Sequence, residues 1–348
     1  MNTNTLIFYI GSYTEMLTKD FGGSGEGIYA IEMNVNTGEL NVLRTYFLRN
    51  PAYLVRNSKR LYAVSELENF EEAKVTAFNI QEDYGLKYIN QQGIEGSLPC
   101  HINFLNSHLF ISCYGSGNLL NYPVGDNGEI LAFKSNFKHT GSSVTIERQE
   151  SPHAHQIVIH PNRKYLFVPD LGIDKIKGYT FENDILKPEN SMDISITSGN
   201  GPRHMVFNSE GDIGYVMNEL TGKVSIIKQH NGKFEVLSAV PALPGTYKDV
   251  PSGSAIRLHP NGKYLYAANR TIDIITIFHV EGNHLNLLNY QYTQGKTIRE
   301  FNISPNGEWL IACLQDSNEV ISYNIQPNGL LEERSRTDAV ASPVCVCF

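Results

Sequence analysis

The 348-residue chain has only five cysteines, Cys100, Cys113, Cys313, Cys345 and Cys347, and no C-x-x-C pair. An odd number without that spacing argues against a disulfide framework and a zinc knuckle, and marks the cysteines as small buried strand residues. No run approaches the roughly 20 consecutive apolar residues that a membrane-spanning helix needs. The first apolar stretch, Leu6 to Ile10, lacks a basic flank and is too short for a secretion signal, so a cytoplasmic protein is expected. Positive charge is in deficit, with 28 Lys and Arg against 36 Asp and Glu and a formal net charge of -8. That balance argues against non-specific binding to nucleic acid or to an anionic membrane. The apolar share of 41% and charged share of 18% suit a folded chain with a large core, not a disordered one.

What the chain does contain is a repeat. Six phrases align: PAYLVRNSKRLYAVSE from Pro51, PCHINFLNSHLFISCYGSG from Pro99, HQIVIHPNRKYLFVPDLG from His155, RHMVFNSEGDIGYVMNE from Arg203, SAIRLHPNGKYLYAANR from Ser254 and REFNISPNGEWLIACLQ from Arg299. Each reads as strand, turn, strand, and the turns carry Pro-Asn-Gly or a relative of it, which supplies the backbone dihedrals of a tight hairpin. With Leu61, Leu109, Leu166, Gly214, Leu265 and Leu310 as markers, successive spacings are 48, 57, 48, 51 and 45 residues. Such a period holds about four short strands. Outer strands fall between the phrases, for example Lys223 to Lys228 and Lys233 to Ser238 around Asn231-Gly232. A seventh unit starts at LIFYIGSYT from Leu6 but lacks a preceding inner strand, which Ser342 to Phe348 can supply from the other end of the chain. The expectation is an all-β, seven-bladed β-propeller over residues 1–348, a single domain closed by C-terminal strand pairing in the first blade. Closed blades leave no edge that demands a partner chain. Ser135 to Pro152 and Ala242 to Gly253 read as surface loops.

In this architecture the start of each inner strand and the end of the next strand meet at one mouth of the central channel. Eleven residues before the markers stand His155, Arg203, Ser254 and Arg299. Four or five after them stand Glu66, Tyr114, Asp170, Asn218 with Glu219, Asn269 with Arg270, and Gln315. One face is thereby ringed with imidazole, guanidinium and carboxylate. The opposite face, at turns such as Pro161-Asn162 and Pro260-Asn261-Gly262, is expected to carry only hairpin chemistry, with His160 and His259 exposed there. His153 and His155 form an H-x-H pair that His101, His204 or Asp170 could complete as a metal site. Arg203, Arg270 and Arg299 would repel a cation and favour an anion, so no metal is assigned.

The phrases SPHAHQIVIHPNRKYLFVPDLG, GPRHMVFNSEGDIGYVMNEL and GKYLYAANR, with PCHI and YGSGN upstream, resemble the seven-bladed lactonase family. That family includes propeller-type 6-phosphogluconolactonase and carboxy-muconate cyclase. The resemblance implies a cofactor-free enzyme acting on a lactone at the propeller mouth, with His155, Arg203, Glu219 and Arg270 as the catalytic group and His153 as an alternative to His155. Relatives commonly place an acidic residue and a histidine where this chain reads Ala255-Ile256-Arg257.

Hydrolysis of a lactone needs a base for water, donors for the developing oxyanion and a grip on the substrate. His155 suits the base, Arg203 the oxyanion, Glu219 the orientation of either or an alternative base, and Arg270 with Arg299 an anionic group of the substrate. His101, His153, Asp170, His204, Asn218, Asn269 and Gln315 are expected to line the substrate. The partner is thus a small anionic sugar lactone, with 6-phosphogluconolactone the leading substrate. A muconolactone-type cycloisomerase, another lactonase, or a non-catalytic binding propeller are the alternatives. The mixed His/Arg/Glu mouth favours chemistry over protein docking, which would show exposed aromatics and Met.

Overall fold

Each recurring phrase folds into the inner two strands of an antiparallel sheet, and the intervening residues supply the outer two. The computed structural model describes residues 4–348. Blade 2 comprises Pro51–Asn57, Arg60–Ser65, Lys74–Ile80 and Leu86–Gly93, and blade 3 comprises Pro99–Leu105, His108–Cys113, Asn118–Pro123 and Ser135–Lys138. In blade 4 the inner strand is reduced to Val158–Ile159, followed by Tyr165–Asp170, Lys175–Glu182 and Ile185–Pro188, with Ile194–Ser195 added to the third strand. Blades 5, 6 and 7 begin with the inner strands Pro202–Phe207, Gly253–Leu258 and Ile298–Ile303. Their second strands are Ile213–Asn218, Tyr264–Asn269 and Trp309–Leu314.

Blade 1 joins both ends of the chain. Pro343–Cys347 is its innermost strand and pairs antiparallel with Thr5–Ser12, in the register Tyr9↔Cys347, Ile10↔Val346, Gly11↔Cys345. The ring therefore closes on hydrogen bonds between the termini, as the unpaired seventh unit implied. Lys223–His230 and Lys233–Pro241 turn at Asn231-Gly232, both residues with positive φ (50° and 79°), the geometry of a two-residue hairpin.

The core lies between blades. Tyr62 and Val64 of blade 2 pack on Ile102 and Ile111 of blade 3, while Phe8 and Ile10 of blade 1 pack on Trp309 and Ile311 of blade 7. Each sheet is thus buried on both faces, which is why the second strands read as continuous apolar runs. The five cysteines are buried and free, as their spacing suggested.

Two expectations need correction. Ser135–Lys138, expected within a surface loop, is the fourth strand of blade 3. His160 and His259 are not exposed turn residues: His160 is buried and His259 half-buried. Nε2 of each donates to the turn of the following blade, at the carbonyls of Gly211 and Gly307, both at 2.8 Å. Nδ1 of each accepts the amide of Asn162 or Asn261 in its own turn, at 3.2 and 3.1 Å. His-Pro-Asn is thus a latch between blades, and the turn face carries more than hairpin chemistry.

Candidate active site

At the start of six inner strands the pairing slips by one residue, and in blades 2, 3, 5 and 7 the slip falls at the equivalent position. Pro51 pairs with Ser65 and Tyr53 with Val64; the same slip separates Pro99 from His101, Pro202 from His204 and Ile298 from Glu300. Such a bulge inserts an unpaired residue and re-aims its side chain. Ala52, Cys100, Arg203 and Arg299 are the residues inserted in these four blades. As a result Arg203 with His204, and Arg299 with Glu300, line one narrow cavity in the channel, although alternation would send neighbours to opposite faces.

Above that constriction lies a mouth cavity of about 300 Å³ lined by His155, Glu219, Arg270, Arg299, Arg148, Tyr114, Glu66, Cys100 and Phe21, among others. Glu219 follows the second strand of blade 5 and gathers three guanidiniums. Its Oε1 accepts from Arg148 Nη2 at 2.5 Å, and its Oε2 lies 2.8 Å from Arg270 Nη2 and 3.1 Å from Arg203 Nε. Burial would raise this carboxyl, but Arg270, Arg148 and Arg203 outweigh burial and hold it well below the usual carboxylate range. Glu219 is therefore held as an anion by its three arginines, and it makes no hydrogen bond to His155 among the described residues.

The arginines are not fully engaged. Arg203 Nε lacks hydrogen-bond alignment with Glu219, and its Nη1 and Arg270 Nε meet no acceptor among the described residues. Arg203 is 3% exposed. Burial and the neighbouring Arg270 lower its pKa to about 10, so it stays cationic at neutral pH. Four guanidiniums, Arg148, Arg203, Arg270 and Arg299, face two carboxylates, Glu219 and Glu66. Buried donors without acceptors and excess positive charge prepare the mouth for an anion.

His155 enters the mouth beside Cys100, whose Sγ lies 3.9 Å from its Nδ1 and donates to its carbonyl at 3.2 Å. Burial pushes the Cys100 thiol to about 12, leaving it inert as a nucleophile. Burial and Arg203 keep the imidazole of His155 neutral. Its Nε2 has no protein partner among the described residues and is free to accept a proton. The segment carrying it is held closely: a Cβ on Gly172 would sit 1.8 Å from the Ser151 carbonyl oxygen.

The remaining predicted residues separate into layers. His153 stacks on Tyr114 at 4.4 Å, its Nδ1 lies 2.9 Å from the Tyr114 carbonyl and its Nε2 3.2 Å from Glu150 Oε1. It does not line the mouth, and the irregular backbone before Val158 breaks the period of two expected for H-x-H. Asp170 is fully buried. It accepts from the amides of His153 and Gly172 at 2.7 and 3.0 Å and meets His139 Nδ1 at 2.6 Å. Asn218 donates to Lys223 and Ser225, Asn269 accepts from Thr271, and Gln315 donates to Gly22. None of these four lines the mouth cavity, and all organise loops. His204 lies deeper, with Nδ1 3.8 Å from Glu300 Oε2, and His101 deeper still, its ring tilted against that of Tyr53 with centroids 4.1 Å apart. Among the described residues no three His, Cys, Asp or Glu side chains converge as metal ligands.

A cavity of about 530 Å³ opens at the opposite end of the channel. Its polar groups are satisfied internally: Arg257 reaches Glu300 Oε1 at 2.9 Å, the Tyr53 hydroxyl at 3.1 Å and the Ile256 carbonyl at 2.8 Å. The Ala255-Ile256-Arg257 departure therefore falls on the core and this lower plug, away from the upper mouth.

Arg148 stands on the loop between blades 3 and 4, outside the columns of the repeat, and is fixed by its neighbour Gln149, which donates to Leu171 and Asp174 at 2.8 Å each. Glu66 and Tyr114 belong to the strand-end column of the repeat and both line the mouth.

A family model described as "Lactonase, 7-bladed beta-propeller" matches residues 7–348. The chain belongs to this lactonase family. It is 31% identical over 353 residues to the 6-phosphogluconolactonase of Bacillus subtilis, with 98% of each chain covered. A crystal structure from Bacteroides fragilis, whose assignment as a 6-phosphogluconolactonase is itself provisional, superposes with a TM-score of 0.91 at 30% identity over 99% of this chain and 98% of the other. The periplasmic gluconolactonase of Pseudomonas aeruginosa shares the fold, with a TM-score of 0.89 at 24% identity over 98% of each chain. The enzyme is thus a lactonase, and its substrate is a small-molecule lactone. No helix among the described residues is long and apolar enough to cross a membrane.

The neutral histidines of this lactonase predict a pH dependence of stability. Burial comes first for His101, His155 and His204, reinforced by Arg203 and, for His101 and His204, by Arg257; all three are pushed well below 6.5. As pH falls through 6.5 the unfolded chain binds protons that the folded chain resists. The stability is thus fully present above that value and is lost below it, by up to about 1.4 kcal/mol per pH unit for each histidine. Thermal melting is expected to be level from about pH 8 to about pH 7 and to fall steadily toward about pH 5. A level profile across the whole range would contradict the burial of neutral imidazoles.

Proposed function

We propose that this lactonase hydrolyses a phosphorylated sugar lactone, with 6-phosphogluconolactone the substrate that fits best. The observation that carries this reading is the buried excess of guanidinium donors beside a neutral histidine with a free nitrogen. A neutral sugar lactone would leave those charges uncompensated, whereas a phosphate monoester supplies about two negative charges. The name of the Bacillus subtilis relative supports the same substrate.

In the proposed reaction His155 Nε2 takes a proton from water as the oxygen attacks the lactone carbonyl. The charge that develops on the carbonyl oxygen is met by Arg203, whose N–H groups are already desolvated and need no reorganisation. Glu219 holds Arg203, Arg270 and Arg148 in place. Arg270 and Arg299 hold the phosphate through charge-assisted hydrogen bonds. No metal or other cofactor takes part, because the guanidiniums that attract the substrate would repel a cation.

A coupled assay comparing enzyme-dependent hydrolysis of 6-phosphogluconolactone and unphosphorylated gluconolactone, with and without chelator, tests this function. Faster turnover of the phosphorylated lactone, insensitive to chelator, is expected. Rates no greater than spontaneous hydrolysis for either would refute the reading, and loss in chelator would introduce a metal.

A further inference from the structure

We propose that Glu66 is the general acid of this mouth, protonating the ring oxygen of the lactone as the acyl bond breaks. The inference rests on the lactone-hydrolysis reading above and adds to it the group that acts on the leaving oxygen.

The two carboxylates of the mouth differ in how they are held. Both oxygens of Glu219 are fixed by arginines. Glu66, at the end of the second strand of blade 2, is 4% exposed and lines both the mouth cavity and the narrow cavity below it. Its Oε2 accepts from the Tyr13 hydroxyl at 2.6 Å, while its Oε1 has no protein partner among the described residues. Arg299 does not clamp it: Nη2 is 3.9 Å from Glu66 Oε2 and donates instead to the Tyr13 hydroxyl at 2.6 Å. Tyr13 is therefore a positioning residue that turns one oxygen of Glu66 away and leaves the other to the cavity. The charged and titratable groups around Glu66 are Tyr13, Tyr53 of blade 2, Arg299 and Glu300 of blade 7, Arg203 and His204 of blade 5, Cys100 of blade 3 and His155 of blade 4, with Tyr114, Arg148, Glu219 and Arg270 sharing the mouth cavity. Burial raises the Glu66 carboxyl above its ordinary range despite Arg299 and Arg203, whereas Glu219 is driven the other way. Two carboxyl groups pushed apart in this manner are the usual basis for dividing acid from anion roles.

The chemistry needs such a group. The ring oxygen leaves as an alkoxide unless a proton arrives as the bond breaks, and Arg203 is engaged with the carbonyl oxygen. In the step proposed here, the electron pair of the acyl C–O bond moves to the ring oxygen, which takes the proton of the Glu66 carboxyl. His155 holds the proton taken from water. The new carboxylic acid and His155 then yield two protons, one of which restores Glu66, so that the cycle consumes one water and releases one proton.

Steady-state kinetics of the full-length protein and its Glu66→Gln and Glu66→Asp variants test the role. The probes are 6-phosphogluconolactone and the analogue with sulfur as the ring atom, whose thiolate leaves without an acid. On the oxygen lactone, Glu66→Gln is expected to lower kcat by about 10² to 10⁴-fold with KM nearly unchanged, and to abolish the alkaline limb of the kcat/KM profile. On the sulfur analogue the same variant is expected to keep nearly the wild-type rate. Glu66→Asp should retain the alkaline limb and recover part of kcat. Equal losses on both substrates, an effect on KM alone, or no loss would overturn the assignment while leaving the hydrolase reading intact. Wild-type protein inactive on both lactones would overturn both.

Discussion

Replacing His155 with asparagine is expected to lower kcat/KM for the lactone by about 10² to 10⁴-fold while the protein stays folded, as followed by a coupled rate assay and a thermal melt. The expectation follows from position and charge state together. The imidazole lines the mouth, its Nε2 is free, and burial keeps it neutral well below the ordinary histidine range. Neutrality also sets the acid limb of the rate profile: activity should persist as pH falls through 6.5, because the folded imidazole protonates only at lower pH. Asparagine fills much of the same space without basicity. Retention of the wild-type rate would move the base elsewhere.

The second large effect concerns Arg203. Arg203→Ala is expected to reduce kcat by about 10² to 10³-fold, with a smaller effect on KM. A buried guanidinium with unpaired N–H groups is a donor that needs no reorganisation when charge appears on the carbonyl oxygen. Glu219 would keep Arg148 and Arg270 as partners in the variant, so the mouth should hold its shape. A change confined to KM would assign Arg203 to ground-state binding of the substrate anion instead.

Much of this architecture was legible in the sequence because repetition amplifies weak local signals. The turns at Pro161-Asn162 and Pro260-Asn261-Gly262, repeated at a period of about four strands, identify blades, and the incomplete first unit identifies the closing strand. The mouth was legible only in part, for three physical reasons. Bulges place consecutive residues such as Arg203 and His204 in one cavity, which a period of two does not anticipate. Asp170 and Asn269 stand at strand ends, where the same side-chain oxygens suit a turn as readily as a ligand. The structure engages Asp170 with the Gly172 amide and Asn269 with that of Thr271. Arg148 lies on a loop with no counterpart in other blades, so no column could contain it.

His160 and His259 depart from expectation for a reason of closure. A histidine before Pro-Asn looks like surface turn chemistry, yet the neighbouring blade's turn is only one hydrogen bond away in a closed ring. Inter-blade distance is a property of closure, which local sequence does not encode.

The proposed reaction places lactone chemistry at the upper mouth and not in the larger lower cavity. A crystal structure of the protein soaked with 6-phosphogluconate, the product of the proposed reaction, tests it most directly. The account predicts the product in the upper mouth, its carboxylate beside His155 and Arg203 and its phosphate against Arg270 and Arg299. Product bound in the lower cavity beside Arg257, with the upper mouth unoccupied, would contradict it.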